Sequence, residues 1–372
     1  MMIGTEILYG QGLGNQLFCY VTARCIALER GVAFGTAGRE QLAVNMHSHE
    51  GMYFMDLDLG EAVLEDHPQG NRLPDGPSAG PTSGIKRTKD GDVLSIYQEK
   101  EVRLFLGTSR HDLQHGAYVA GEDETLYSLP DNTLIYGNMQ AESYFAPYRD
   151  QIREWLRVLP EYDSREFTRD NLCILHVRGG DYEDHPELVL RRKYWLDGMK
   201  NMRRIRPDME FIIVTDDPEA ARKTLPGLPV YRGDLGHDYV MLKNARYLLL
   251  GNSSFAFFPA YTSDTLEYAI APKYWARHNV SDGYWASEQN IYSIFHYQDR
   301  KGRLFTPEEC HAELEHYKKT SGKYRCAGQR PQGMMEKLAV LECRMRYAAY
   351  YGTKAWHALR RRMGYKVPYA GQ

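Results

Sequence analysis

The chain predicts an α/β fold in which two Rossmann-type domains face a cleft and a basic helical tail follows. Three observations carry that expectation. Apolar runs of strand length end in polar, glycine-bearing turns, as where residues 173–177 run into Arg178, Gly179, Gly180 and Asp181. Segments with helical periodicity alternate with those runs, which implies parallel strands joined by helical crossovers. Charge also divides along the chain: residues 318–372 carry net +11 and residues 1–317 net −14.

In the first half, residues 6–9 read as a short strand. Gly10, Gln11, Gly12, Leu13 and Gly14 then turn into a helix with Leu17, Phe18, Val21, Cys25 and Leu28 on one face, and Gly31 sits where a left-handed residue would close it. Residues 66–92, dense in Gly, Pro, Ser and Asp without periodicity, read as a long mobile loop, a lid or an insertion. Residues 136–145 lead into a helix opened by Pro147 and carried by Ile152, Trp155, Leu156 and Leu159. A linker over 160–170 follows, which gives domains at 1–165 and 166–300 and a helical basic extension at 301–372.

The second half repeats the pattern more clearly. Leu172–Val177, Glu210–Thr215, 228–231 and Tyr247–Leu250 read as strands, with helices over 194–204 and 238–246. Asp216, Asp217 and Pro218 signal a helix start, and Gly251, Asn252, Ser253 and Ser254 a turn before a helix at 255–261.

The 372 residues suffice for two α/β domains with extensions. The acidic body argues against nucleic-acid binding, whereas the basic end suits an anionic surface. Six cysteines without a Cys-x-x-Cys pair point to reduced thiols in a cytoplasm rather than disulfides or a zinc site. No run has the length to cross a bilayer, and the first residues read as a strand rather than a secretory signal.

Arg178 stands out chemically. It stays charged at any working pH and offers a planar fork of donors to a diphosphate, at the strand end where open α/β sheets bind ligands. The alternative is a turn arginine paired with Asp181.

Four stretches together resemble glycosyltransferase family 11, the α-1,2-fucosyltransferases. Gly10 to Phe18 is similar to the family's G-G-L-G-N-Q-L/M-F opening, and Gly137 to Phe145 to its G-Y-W-Q-S-E-x-Y-F block. His176 to Asp181 resembles H-x-R-x-G-D, and Asn252, Ser253, Ser254 and Phe255 its N-S-S-F close. The resemblance spans residues 4–290 and leaves the tail outside. It implies a GT-B-like fold and an inverting, metal-independent transfer of fucose from GDP-fucose to a sugar hydroxyl, with no cofactor. The first domain would lie on the acceptor side and the second would bind the GDP-sugar.

By motif position, the resemblance has Arg178 hold the β-phosphate and His176 help set the donor. Asp238 would read guanine, as an aspartate leading the helix before the Ser-Ser turn does in more distant fucosyltransferases. Ser253, Ser254 and Phe255 would offer hydroxyl and backbone donors to the phosphates. Gly12 and Gly14 allow close backbone approach, while Asn15 and Gln16 either bind the diphosphate or the acceptor, or only cap a helix. Gln140 and Glu142 are acceptor-side candidates. Inversion asks for a carboxylate base; Asp181 leads, with Glu142, Glu183 and Asp184 behind it and a dissociative route without a strong base also open. Asp56 and Asp58 form an Asp-x-Asp pair of the kind that would suit a metal-dependent transferase. Phe257 and Phe258 in place of two tryptophans, Asn138 and Met139 in place of Tyr-Trp, and Gln11 in place of glycine depart from the pattern on the acceptor side.

In the tail, Met334, Leu338, Leu341, Met345, Ala348, Trp356, Leu359 and Met363 recur at helical spacing among basic residues. The segment 331–372 resembles an interfacial helix for anionic lipid, with a helix packed on the acidic body as the rival. The expected setting is the cytoplasm, peripheral to the inner face of the membrane, with an oligosaccharide or lipid-linked glycan as acceptor in surface polysaccharide synthesis. A transferase for another GDP-hexose and a non-catalytic glycan-binding relative are the other two readings.

Overall fold

A computed structural model describes residues 1–8, 11–39, 52–62, 91–99, 121–179, 182, 188–279, 281, 283–320 and 333–363. Apart from residues 91 and 92, the long loop expected at 66–92 lies outside the described residues, as does Asp181.

Two sheets organise the chain. The first holds β1 (Met2–Glu6), β2 (Ala33–Ala37), β3 (Glu61–Ala62), β4 (Ser95–Gln98) and β5 (Thr133–Tyr136), all parallel, in the order β3-β2-β1-β5-β4. The second holds β6 (Leu172–Val177), β7 (Glu210–Thr215), β8 (Val230–Tyr231), β9 (Tyr247–Leu250), β10 (Tyr268–Pro272), β11 (His296–Gln298) and β12 (Leu304–Phe305), ordered β12-β11-β10-β9-β6-β7-β8. Its pairs are parallel except β11 with β12. In each sheet the order reverses beside an early strand, between β1 and β5 and between β6 and β9, and such switch points open ligand crevices at the carboxyl ends of parallel strands.

The helices are α1 (Leu13–Arg30), α2 (Arg149–Trp155), α3 (Arg192–Ile205), α4 (Pro218–Thr224), α5 (Leu235–Lys243), α6 (Phe257–Thr262), α7 (Pro307–Thr320) and α8 (Met334–Arg362). α1 closes as the sequence predicts: Gly31 takes φ +63°, a conformation that costs glycine little, and its N–H reaches the carbonyls of Ala27 and Leu28. α4 also starts as expected, with the Asp217 carboxylate accepting from Ala220 N at 3.0 Å.

Several boundaries differ from the sequence reading. The first strand is Met2–Glu6 rather than 6–9, because β2 and β5 pair with it on both edges and bury every residue. α5 begins at Leu235, since Asp234 rather than Asp238 caps it, accepting from His237 N at 2.9 Å. The helix expected from Pro147 is a 3₁₀ turn followed by α2, which ends at Trp155, and Leu159 lies beyond it with its N–H on Phe54 O.

One hydrophobic core joins the two sheets. Phe18 of α1 stacks on Phe257 of α6 with ring centroids 5.0 Å apart, and Phe257 meets Tyr292 at 4.0 Å. A second cluster, with Trp195 and Met202 of α3, covers the other face of the second sheet. α8 leaves Met334, Leu338, Leu341, Met345, Trp356 and Leu359 between 48% and 80% exposed, so it is not packed on the body along that stripe. No described helix is long and apolar enough to cross a membrane.

Candidate functional site

The carboxyl ends of β6, β7, β8 and β9 and the start of α1 enclose a cleft of ≈ 640 Å³. Of the candidates from sequence it brings together Gly12, Gly14 and Asn15 from α1 and the turn before it, His176 and Arg178 from the end of β6, Asp238 from α5, and Ser253, Ser254 and Phe255 after β9. Gln16 is buried and stands outside the cleft wall. Gln140 and Glu142 also stand outside it. Glu142 accepts from both the N–H and the hydroxyl of Ser293, each at 2.6 Å, which makes it a brace for that turn. Glu183 and Asp184, like Asp181, lie outside the described residues.

Arg178 pairs with Asp216, Nη1 to Oδ2 at 2.8 Å, and lies over the Tyr182 ring. Asp216 Oδ1 accepts from Gly179 N at 3.1 Å, so one carboxylate fixes both the guanidinium and the turn that carries it. Asp216 is free for this because the next residue, Asp217, caps α4. Sequence reasoning saw the two aspartates only as a helix start. It also missed Arg232, an exposed cation on the cleft wall with no ion-pair partner among the described residues.

His176 is 3% exposed, and burial, reinforced by Arg178, pushes its imidazole down to about 3. The ring is therefore neutral at physiological pH. Its Nδ1 has no hydrogen-bond partner among the described residues, and the ring lies 5.7 Å from that of Phe255. A neutral imidazole beside a fixed cation can orient a polar ligand without adding charge.

Asp238 sits in the first turn of α5. Burial, aided by the Asp234 and Asp216 carboxylates, pushes it up to about 7, against the opposing hydrogen bond from Gly233 N at 3.0 Å. Asp234 behaves differently: burial would raise it, but hydrogen bonds from His237 and Tyr53 outweigh that and hold it below the usual carboxylate range. The Tyr53 hydroxyl reaches Asp234 Oδ1 at 2.6 Å, bracing this end of the cleft from the first half of the chain.

Gly14 is required by packing rather than by a ligand alone. A Cβ there would stand 2.4 Å from Ser254 C and 2.5 Å from Phe255 N, so the start of α1 abuts the turn after β9 backbone to backbone. α1 has no side-chain cap at Gly12. Neither the Ser253 nor the Ser254 hydroxyl has a hydrogen-bond partner among the described residues. Uncapped N–H groups, two hydroxyls and a guanidinium thus converge, a donor set that suits an anion. Asp58 lies elsewhere, bound to Arg24 at 2.8 Å, and no group of three or more His, Cys, Asp or Glu suited to a metal occurs among the described residues.

No family model matches the chain. Over 167 residues, 40% of this chain, it is 23% identical to an alpha-1,2-colitosyltransferase of Escherichia coli, and it spans 58% of that relative's length. Among solved structures it is similar to NodZ alpha-1,6-fucosyltransferase soaked with GDP-fucose, at 11% identity over 71% of this chain and 93% of that one, with a TM-score of 0.38. It is also similar to POFUT1 in complex with GDP, at 9% identity over 40% of this chain and 59% of that one, with a TM-score of 0.29.

Proposed function

We propose that the cleft binds GDP-fucose and that the protein transfers fucose, with inversion, to a sugar hydroxyl in an α-1,2 linkage during glycan or surface polysaccharide synthesis. The observation that carries this is the Arg178 guanidinium, held by Asp216 where the Ser253–Ser254 turn and the uncapped start of α1 meet. As the glycosidic bond breaks, negative charge grows on the departing diphosphate and the sugar becomes oxocarbenium-like. A preorganised cation and uncharged donors stabilise that charge without a metal. Neutral His176 orients the donor, and Asp238, when ionised, accepts the two N–H groups on the guanine edge.

In this reading residues 1–165 form the acceptor side and 166–300 the nucleotide-sugar side of a GT-B-like enzyme. Asp181 takes the proton of the acceptor hydroxyl, unless departure of GDP runs ahead of attack and no strong base is needed. α8, within the 301–372 extension, lies on an anionic membrane face, where a lipid-linked acceptor would be presented.

A second reading, transfer of another GDP-linked sugar, is favoured by the colitosyltransferase relative. Incubation with a panel of nucleotide sugars and glycan acceptors, scored by released nucleotide, tests both. GDP release from GDP-fucose supports the first reading and release from a different GDP-sugar alone supports the second. Tight glycan binding without turnover of any donor overturns both and leaves a binding protein.

A further inference from the structure

Behind the cleft wall a chain of side-chain amides connects three segments distant in sequence. Asn15, on the first turn of α1, lines the cleft, and its Oδ1 accepts from Gln140 Nε2 at 2.9 Å. Gln140 Oε1 accepts in turn from Asn290 Nδ2 at 2.7 Å, and the same Nδ2 reaches the Tyr292 hydroxyl at 3.0 Å. Each amide's orientation is dictated by the next. With Oδ1 committed to Gln140, the group Asn15 has left for the cleft is its N–H donor pair.

One buried carboxylate holds the turns that carry these amides. Glu99, 3% exposed, accepts through Oε2 from Asn138 N at 2.6 Å and Met139 N at 3.2 Å, and through Oε1 from Gln289 Nε2 at 2.8 Å. It thus clamps the residue before Gln140 and the residue before Asn290. The backbone there is unusual: Met139 has φ +48° and Asn290 φ +68°, left-handed conformations that a methionine rarely adopts. Such strain persists where surrounding bonds over-determine it, and it collects at sites that must be held in one geometry. A purely structural network could end on backbone, whereas this one ends on a half-buried side chain facing the cleft beside the uncapped N-terminus of α1.

We infer that Gln140 and Asn290, clamped by Glu99, are positioning residues that turn the Asn15 amide so that its N–H donates to the diphosphate of the bound nucleotide sugar. This rests on the reading of the cleft as a GDP-sugar site. It moves Gln140 from direct acceptor contact to a role exerted through Asn15.

The test is GDP affinity, measured by titration calorimetry on the full chain, for the wild type, Asn15→Ala, Gln140→Met and the double variant, with thermal melts to establish folding. Loss of a hydrogen bond to a charged phosphate predicts about tenfold weaker GDP binding for Asn15→Ala. Gln140→Met is expected to weaken binding several-fold in the wild-type background and to have no effect in the Asn15→Ala background. Gln140→Glu, which can only accept, forces the Asn15 N–H away from the cleft and should cost at least as much as Asn15→Ala. Equal losses from Gln140→Met in both backgrounds, or an unchanged GDP affinity with a raised acceptor KM, overturn the inference. A wild-type protein that binds no GDP overturns the donor reading itself.

Discussion

Arg178 and Asp216 form an ion pair across the ends of two adjacent strands, β6 and β7, at 2.8 Å. The guanidinium is therefore fixed in the cleft before any ligand arrives, which is what transition-state stabilisation without reorganisation requires. Arg178→Ala is expected to fold and to lose roughly a hundredfold or more in transfer rate. Single-turnover transfer with a melting curve checks this; near-normal turnover removes Arg178 from the mechanism.

Asp216→Asn keeps an oxygen for Gly179 N but abolishes the ion pair. Transfer should fall several-fold, well short of Arg178→Ala, because the cation remains but is less firmly held. Comparing kcat for the two variants decides it, and an equal loss would mean that Asp216 has a direct chemical role.

In the proposed reading, Asp238 gives GDP binding a pH dependence of definite sign. Accepting two N–H groups requires the carboxylate, and this carboxyl titrates at about 7, so binding expels a proton below that pH. Affinity for GDP should weaken by up to about tenfold per pH unit below 7 and level off above it. In Asp238→Asn the affinity should be low and the slope absent. The effect on stability runs the other way: with the folded value raised above the unfolded one, the contribution of this group declines as pH rises from about 4 towards 7. Calorimetric titrations between pH 5.5 and 8.5 would expose a flat wild-type profile.

Gly14→Ala drives a methyl group into the Ser254–Phe255 peptide. Relief requires the two turns to separate, at a cost on the order of 1–3 kcal/mol. Both melting temperature and GDP affinity should drop. A drop in affinity alone would assign Gly14 to ligand approach rather than packing.

α8 should bring the protein to anionic vesicles in a salt-sensitive manner. Truncation after residue 330 is expected to abolish co-sedimentation with phosphatidylglycerol vesicles while leaving GDP binding intact. Persistent sedimentation of the truncated chain, or indifference to lipid charge, rejects the membrane role.

Much of the second sheet was readable because its central strands are buried on both faces and bounded by turn residues. β6, β7 and β9 occur at the residues expected. β10, β11 and β12 were not read, since short strands beside Pro272 or a two-residue ladder leave little periodicity. The cleft cluster was legible where residues sit in local motifs, as with His176, Arg178 and Ser253–Phe255. It was not legible where a partner arrives from far along the chain. Asp216 stands 38 residues beyond Arg178, and Asn290 reaches Gln140 across a separation of 150. Nothing in a single sequence marks Glu142 as the partner of Ser293, 151 residues away.

The aromatic seam of Phe18, Phe257 and Tyr292 has a consequence for how this protein comes apart. Rings from both halves stack in one cluster, so neither half can melt without stripping apolar cover from the other. Heating should therefore yield one calorimetric peak for the body of the chain. The same seam opposes wide separation of the two sheets, leaving side chains at the rim of the cleft to admit a ligand.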